Sequence, residues 1–415
     1  MTSHDGPTAC PIRPPARRRP AGRRSPRTRH GPLPRALLLA GLALGPLVAG
    51  AVDRTAGPIG RTAAMPGTDD VADDVTVWVD PVDSERSVII GTNKSDAESG
   101  DGGLYAFTAT GGRWGGGAWE EGVNRFDDER YNTVDLRYGV RIGRSRWDLV
   151  AASNRSDREI DVFRVETASD GRFAGLSKVG EIALGPGLAP DTDAPYGLAM
   201  LQRPDGTASV LISDKDGLVA QYRLRAGDAE PVTATRVGLW DISRETGPVE
   251  GMVADDERGV VYIASENRSI DRFGTDADGV LDTASVQRVD DVVEASNDKG
   301  RKRLQADIEG LALYRARDGA GYLIASSQGS DAFVVYDRRF TPGAANARLL
   351  AFDLEGVENT DGIEVVNAPL GERLPFGAFI AHDGLGSSPT RYAIVSWSAI
   401  ARGDLIVDVA ADPRD

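Results

Sequence analysis

From residue 69 onward one pattern recurs six times: a polar residue followed at once by a short apolar or alternating run. It reads DVTVWV at Asp74, DLRYGV at Asp135, YGLAML at Tyr196, EGMVAD at Glu250, EGLALY at Glu309 and DGIEVV at Asp361. Successive copies begin 61, 61, 54, 59 and 52 residues apart. Each run is followed by a second, more apolar run that ends in a polar cluster: SVIIGTNK, DLVAASNR, SVLISDK, VVYIASE, YLIASSQ and FGAFIAHD. A third often follows, as in IDVFRV, LVAQYRL and FVVYDR. Self-similarity at a near-constant period marks a supersecondary unit that buries its faces against its neighbours. Six units of three or four strands predict an all-β chain folded as a six-bladed β-propeller over residues 69–415. Two stacked β-sandwiches are the alternative, and they give no reason for the period.

A propeller would gather a site. The first strand of each blade lines the central channel and the second runs antiparallel beside it, so first-strand starts and second-strand ends share one rim. The first strands bring Asp73, Asp74, Asp135, Glu250, Glu309 and Asp361 there; the second strands bring Glu266 and Asp383. So many carboxylates stay ionised side by side only with positive charge between them. Calcium, a hard ion that takes six to eight oxygens, is the natural occupant. Interleaved with the acids are Lys94, Arg155, Tyr196 and Lys215, donors suited to phosphate or carboxylate oxygens. The set points to a small polyanionic substrate bridged to protein by cations. Singly, an Asp before Gly is a turn residue and a surface Lys is merely solvated; recurrence at one point of the repeat makes the functional case.

Composition narrows the partners. With 63 Asp and Glu against 48 Lys and Arg, the formal charge is −15, which disfavours nucleic acid and anionic membrane surfaces. Cys10 is the only cysteine and His4, His30 and His382 the only histidines, so thiolate zinc sites, iron–sulfur clusters and histidine-rich metal centres lack ligands. Residues 1–35 hold nine arginines and one acid, and Ala36–Ala51 is wholly apolar. A charged stretch, an apolar stretch and small residues at Ala49 and Ala51 predict an export signal over 1–51, cleaved near Ala51, and a secreted or envelope protein. An uncleaved N-terminal anchor is the alternative. Removing 1–51 leaves a charge of about −23 and no cysteine, so the exported fold must stand without disulfides, and bound metal is one substitute. The Pro/Gly/Ala-rich lead-in, 52–68, is expected to be disordered, and the mature chain to be a monomer with no stable membrane partner. The string RHGPLPR at Arg29–Arg35 suggests a histidine phosphatase motif but falls inside the signal, and DADGVLD at Asp276–Asp282 reads as a hairpin turn rather than a calcium loop.

These strings carry a resemblance. ADDVTVW, TNK, NTVDLRY, AASNRS, PYGLAM, EGMVADDERG, YIASE, ADIEGLALY, YLIASSQG, TDGIE and PFGAFIAHDG occur in an order and spacing by which the chain, from about 69 to 400, resembles the β-propeller (alkaline) phytases. The resemblance implies a six-bladed propeller that binds several calcium ions and hydrolyses phytate. It implies calcium and active-site carboxylates at Asp70, Asp73, Asp74, Glu250, Glu266, Glu309, Asp361 and Asp383, and phosphate contacts at Lys94, Arg155, Tyr196 and Lys215. Glu250 and Asp361 count among the catalytic groups as well as the metal ligands. Glu355 stands where the family has a calcium-binding Asp, Val75 where it has Pro, and Asp216 where some members have Glu. The implied chemistry is metal-assisted attack of water on phosphorus with no covalent intermediate. A non-catalytic calcium-binding propeller needs no basic rim, and a lactonase or phosphotriesterase propeller would show amides where acids dominate here.

Overall fold

The computed structural model describes residues 54–414 apart from 69, 189–193, 226–230, 243–246, 294–302, 340–347 and 385–389. The export signal expected over 1–51 lies outside the described residues.

Six sheets follow one another along the chain, each built of consecutive antiparallel strands, and two of them gain an added N-terminal strand at the outer edge. Blade 1 opens with Ala72–Trp78 and Val88–Asn93, blade 2 with Tyr131–Ile142 and Ser145–Asn154, blade 3 with Leu198–Gln202 and Ala208–Ser213. Blade 4 opens with Val249–Asp255 and Val260–Ser265, blade 5 with Ile308–Arg315 and Gly321–Ser327, blade 6 with Ile363–Val366 and Ala378–Asp383. The six first strands touch in cyclic order, the sixth returning to the first. This is a closed six-bladed β-propeller, as the repeat predicts.

Burial explains the two kinds of run in the repeat. Second strands lie inside a blade, covered on both faces by the neighbouring blades. Val88–Asn93, Ala208–Ser213, Val260–Ser265, Gly321–Ser327 and Ala378–Asp383 are accordingly buried at every position. A strand covered on both faces reads as a continuous apolar run, not an alternating one. The seams between blades are filled by aromatic and branched side chains; between blades 5 and 6, Phe333, Phe352 and Phe379 pack with ring centroids 5.0–5.3 Å apart, and Tyr314 stacks on Trp397 at 4.5 Å.

The lead-in expected to be disordered is structured from Arg54 onward. Arg54–Ala56 runs parallel to Phe352–Leu354 at the outer edge of blade 5. Gly60–Arg61 pairs antiparallel with Ala393–Ile394 and is the outermost strand of blade 6. Blade 6 draws only three strands from the end of the chain, so its third strand, Arg391–Ser396, would otherwise present unpaired backbone groups, and the N-terminal segment satisfies them. Composition concealed this because a two-residue strand needs no apolar alternation.

Candidate active site

The site is built from irregularities in the first strands. Pairing of first with second strand skips two residues between Ala72 and Val75, Tyr131 and Val134, Val249 and Met252, and Ile308 and Leu311. The looped-out pairs are Asp73–Asp74, Asn132–Thr133, Glu250–Gly251 and Glu309–Gly310. Blades 3 and 6 place Tyr196–Gly197 and Asp361–Gly362 at the same point, just before the strand. A β-bulge re-aims side chains at a strand end, and four in a ring aim theirs into one mouth. The glycines have a packing reason: a Cβ on Gly251 would lie 2.0 Å from the Glu309 carbonyl oxygen, and one on Gly362 2.4 Å from the Asp74 Cα. Backbone of the next blade occupies the space a side chain would need.

Asp135 is not part of this rim. The bulge puts Asn132 in the equivalent place and carries Asp135 three residues down the channel. There its carboxylate accepts from Arg137 Nη1 at 2.7 Å and from the Met200 N–H at 2.7 Å. Arg137 continues to Asp256 at 2.6 Å, a structural ion network below the site.

Glu250, Glu266 and Glu309 converge, with ligand atoms within 4.8 Å of one another, all three buried. Burial and the facing carboxylates push Glu309 well above the ordinary range, and it hydrogen-bonds Glu250. Burial, then Glu250, raises Glu266 to about 7. The Tyr196 hydroxyl reaches into this group, hydrogen-bonded to Glu250 and Glu266; burial and the three glutamates hold it neutral. Glu266 Oε1 and Glu309 Oε2 are buried with no hydrogen-bond partner. Beneath, a cavity of about 20 Å3 lies between Asp73, Asp74, Glu250, Glu309 and Asp361. Buried oxygens without donors, acids that share hydrogen bonds, and room for one small particle are what a hard cation would satisfy.

A second cluster stands beside the first. Lys94 Nζ lies 2.7 Å from Asp361, 3.0 Å from Asp70 and 3.5 Å from Asp73. Burial opposes the ammonium charge, but Asp73, Asp361 and Asp70 outweigh it and raise its pKa. Burial also raises Asp73 and Asp361, whereas at the half-exposed Asp70 the partial desolvation is outweighed by His382 and Lys94, which hold the carboxyl at about 2. His382 is fully buried: the Asp361 N–H donates to its Nδ1 at 3.2 Å, and its Nε2 lies 3.1 Å from Asp70 Oδ1. Asp70, Asp361 and His382 together offer ligand atoms to one point. Gln328 donates to the other oxygen of Asp361 at 2.6 Å.

The basic groups frame the glutamates. Arg155 donates to Asn132 Oδ1 at 2.8 Å, and Asn132 donates to Glu250 Oε1 at 2.5 Å. Burial and the nearby Arg130 lower the Arg155 pKa, so an anion there would relieve two like charges. The Arg155 guanidinium and the Lys215 ammonium lie 5.6 Å and 4.6 Å from the Tyr196 ring centre. Asn132 and Arg130 escaped the sequence reading, which sought carboxylates at the start of each first strand.

The remaining expected residues divide. Asp74 occupies the place that glycine holds in blades 3 to 6, and its carboxylate accepts the Val134 N–H at 3.1 Å, bracing the next blade. Asp216 is exposed. Asp383 is buried, but its Oδ2 accepts from Arg61 Nε at 2.6 Å. Glu355 is exposed and belongs to neither acidic cluster.

The sequence matches the family model described as Phytase over residues 49–415. It is 30% identical over 356 residues to the 3-phytase of Bacillus subtilis (strain 168), covering 82% of this chain and 83% of that protein. Among solved structures, the BBS1N protein crystallised with ARL6DN aligns at a TM-score of 0.45 with 9% identity, covering 84% of this chain and 99% of that one. The periplasmic gluconolactonase of Pseudomonas aeruginosa aligns at 0.37 with 12% identity, covering 64% and 67%. Neither structural likeness bears on function.

Proposed function

Because the chain belongs to the Phytase family, we propose that this rim hydrolyses the phosphate monoesters of phytate and that calcium held by its carboxylates is required. The carrying observation is the buried trio Glu250, Glu266 and Glu309, two of whose oxygens have no donor, facing Arg155 and Lys215 across Tyr196. Acids alone would repel a polyphosphate; acids with calcium, flanked by fixed cations, would hold one.

Glu250, Glu266, Glu309, Asp73, Asp361 and Asp70 would hold the calcium ions. When bound, calcium offsets phosphate charge and makes water a better nucleophile near neutral pH. The chain's own groups do the rest. Asn132 fixes Arg155, which, with Lys215, stabilises charge gathering on the phosphoryl oxygens. Tyr196, kept neutral, is hydrogen-bonded to Glu250 and Glu266 and so sets their orientation. Lys94 is shared by Asp70, Asp73 and Asp361 and presents the remaining positive charge to substrate. No protein nucleophile takes the phosphoryl group: His382 is enclosed between Asp70 and Asp361, and the described residues include no cysteine. Water attacks phosphorus directly. The charge and apolar pattern of residues 1–51 supports export of the enzyme.

Phosphate release from phytate, measured with added calcium and with excess chelator, tests this reading. Release should need calcium and leave no acid-stable phosphoenzyme. Equal release in chelator would refute the calcium requirement, and none under either condition would favour a non-catalytic calcium-binding propeller.

A further inference from the structure

The resemblance assigns Glu355 and Asp383 to calcium, yet at this edge of the rim the residues present do not fit a metal ion. The Asp383 side chain is 4% exposed, and its Oδ2 accepts from Arg61 Nε at 2.6 Å, with Arg391 Nε at 3.6 Å. The same Arg61 donates from Nη2 to the Gly356 carbonyl at 2.8 Å. One guanidinium thus takes both a carboxylate and a backbone carbonyl, the two kinds of oxygen that calcium would take. Arg61 and Arg391 together offset the charge of this carboxylate, which weakens its attraction for a divalent cation. Glu355 is exposed, and among the described residues no close trio of acids or histidine includes either Glu355 or Asp383. Asp383 Oδ1 is buried without a hydrogen-bond partner, as are Glu266 Oε1 and Glu309 Oε2; the contrast lies in the basic partners, since Asp383 has two within ion-pair distance and Glu250, Glu266 and Glu309 have none among the described residues.

Arg61 comes from the strand Gly60–Arg61 that completes blade 6. Its backbone closes the ring, and its side chain ties the end of the second strand of blade 6 to the loop that leaves blade 5. The Glu355 N–H donates to the Ala56 carbonyl at 3.0 Å, so the same N-terminal segment holds the start of that loop at two consecutive residues.

We propose that Arg61 is a built-in cation standing where the resemblance places a calcium ion, so that the seam between blades 5 and 6 is charge-balanced without metal while the glutamate cluster is not. The proposal rests on the calcium reading above only for the contrast between the two places.

Bound calcium per chain, from equilibrium dialysis and metal analysis of the full chain, together with melting in chelator and in calcium, tests it. Asp383→Asn should bind as much calcium as the wild type, whereas Glu309→Gln should bind less. Arg61→Gln should melt lower than the wild type in chelator and recover more than the wild type when calcium is added, because Asp383 becomes available to metal; Arg61→Lys should stay close to the wild type. Loss of one calcium per chain in Asp383→Asn, or an unchanged calcium response in Arg61→Gln, overturns the proposal. A wild-type chain that binds no calcium would refute the calcium reading instead, a different and separately visible result.

Discussion

Replacing Lys94 with methionine removes one charge from among three acids while nearly preserving the volume of the side chain. At an effective dielectric constant of 20, each pair of unit charges at the observed 2.7–3.5 Å is worth roughly 5 to 6 kcal/mol before desolvation. Taking the ammonium out of water offsets most of that, and removing one partner from a buried ion pair costs about 3 to 5 kcal/mol net. Lys94 is 20% exposed, which places it near the lower end, at about 3 kcal/mol. At about 2.1 cal/mol/K of unfolding entropy per residue, that is a fall in melting temperature of about 4 °C for a domain of this size. Scanning calorimetry in chelator should show it, and added calcium should shrink it by supplying the missing positive charge. Phosphate release should fall about a hundredfold or more, the usual consequence of losing a group that stabilises developing charge. A variant that melts within 1 °C of wild type in chelator, or keeps a third of its activity, would show that the three carboxylates do not depend on this ammonium.

Glu266, raised by burial and by Glu250 to about 7, binds its proton more tightly in the folded than in the unfolded chain. The stability it contributes is therefore present below about pH 4.5 and lost as pH rises to about 7, on the order of 3 kcal/mol. Calcium-free protein should accordingly melt lower at pH 7 than at pH 5, and calcium uptake at pH 6.5 should release protons; a flat calcium-free profile would contradict the crowding of these acids. Gly362→Ala would place a Cβ 2.2 Å from Asp74 Oδ1 and should destabilise by about 3 kcal/mol or more, read as a lower denaturation midpoint. Asn132→Ala frees Arg155 from Glu250 and should raise KM for phytate and lower turnover about tenfold with calcium per chain unchanged; wild-type kinetics would remove Asn132 from the site.

The parts of the site legible in the sequence are those where an acid precedes glycine at a strand start. Glu250–Gly251, Glu309–Gly310 and Asp361–Gly362 declare both the charge and the close approach of the next blade. Blade 2 hides its contribution, because DLRYGV carries an acid before an apolar run just as the true rim residues do, while the bulge that decides the register leaves no compositional mark. Asn132 leaves no mark in the sequence, because an amide that bridges Arg155 to Glu250 carries no charge. Arg61 was beyond reach for another reason: its partner is Asp383, 322 positions away, in a blade whose missing fourth strand only the assembled ring reveals.

The N-terminal edge strand also sets the order of events during synthesis. Gly60 finds its partner in Ile394, so a strand made early in synthesis is among the last to pair. At the usual 5 to 20 residues per second it waits on the order of 15 to 70 seconds. For that time it is an open backbone edge that could join a strand of another chain. Its shortness, two and three residues, and the arginines at Arg54 and Arg61 limit that hazard. They also mean that the latch engages only when the acid it was built for has been made.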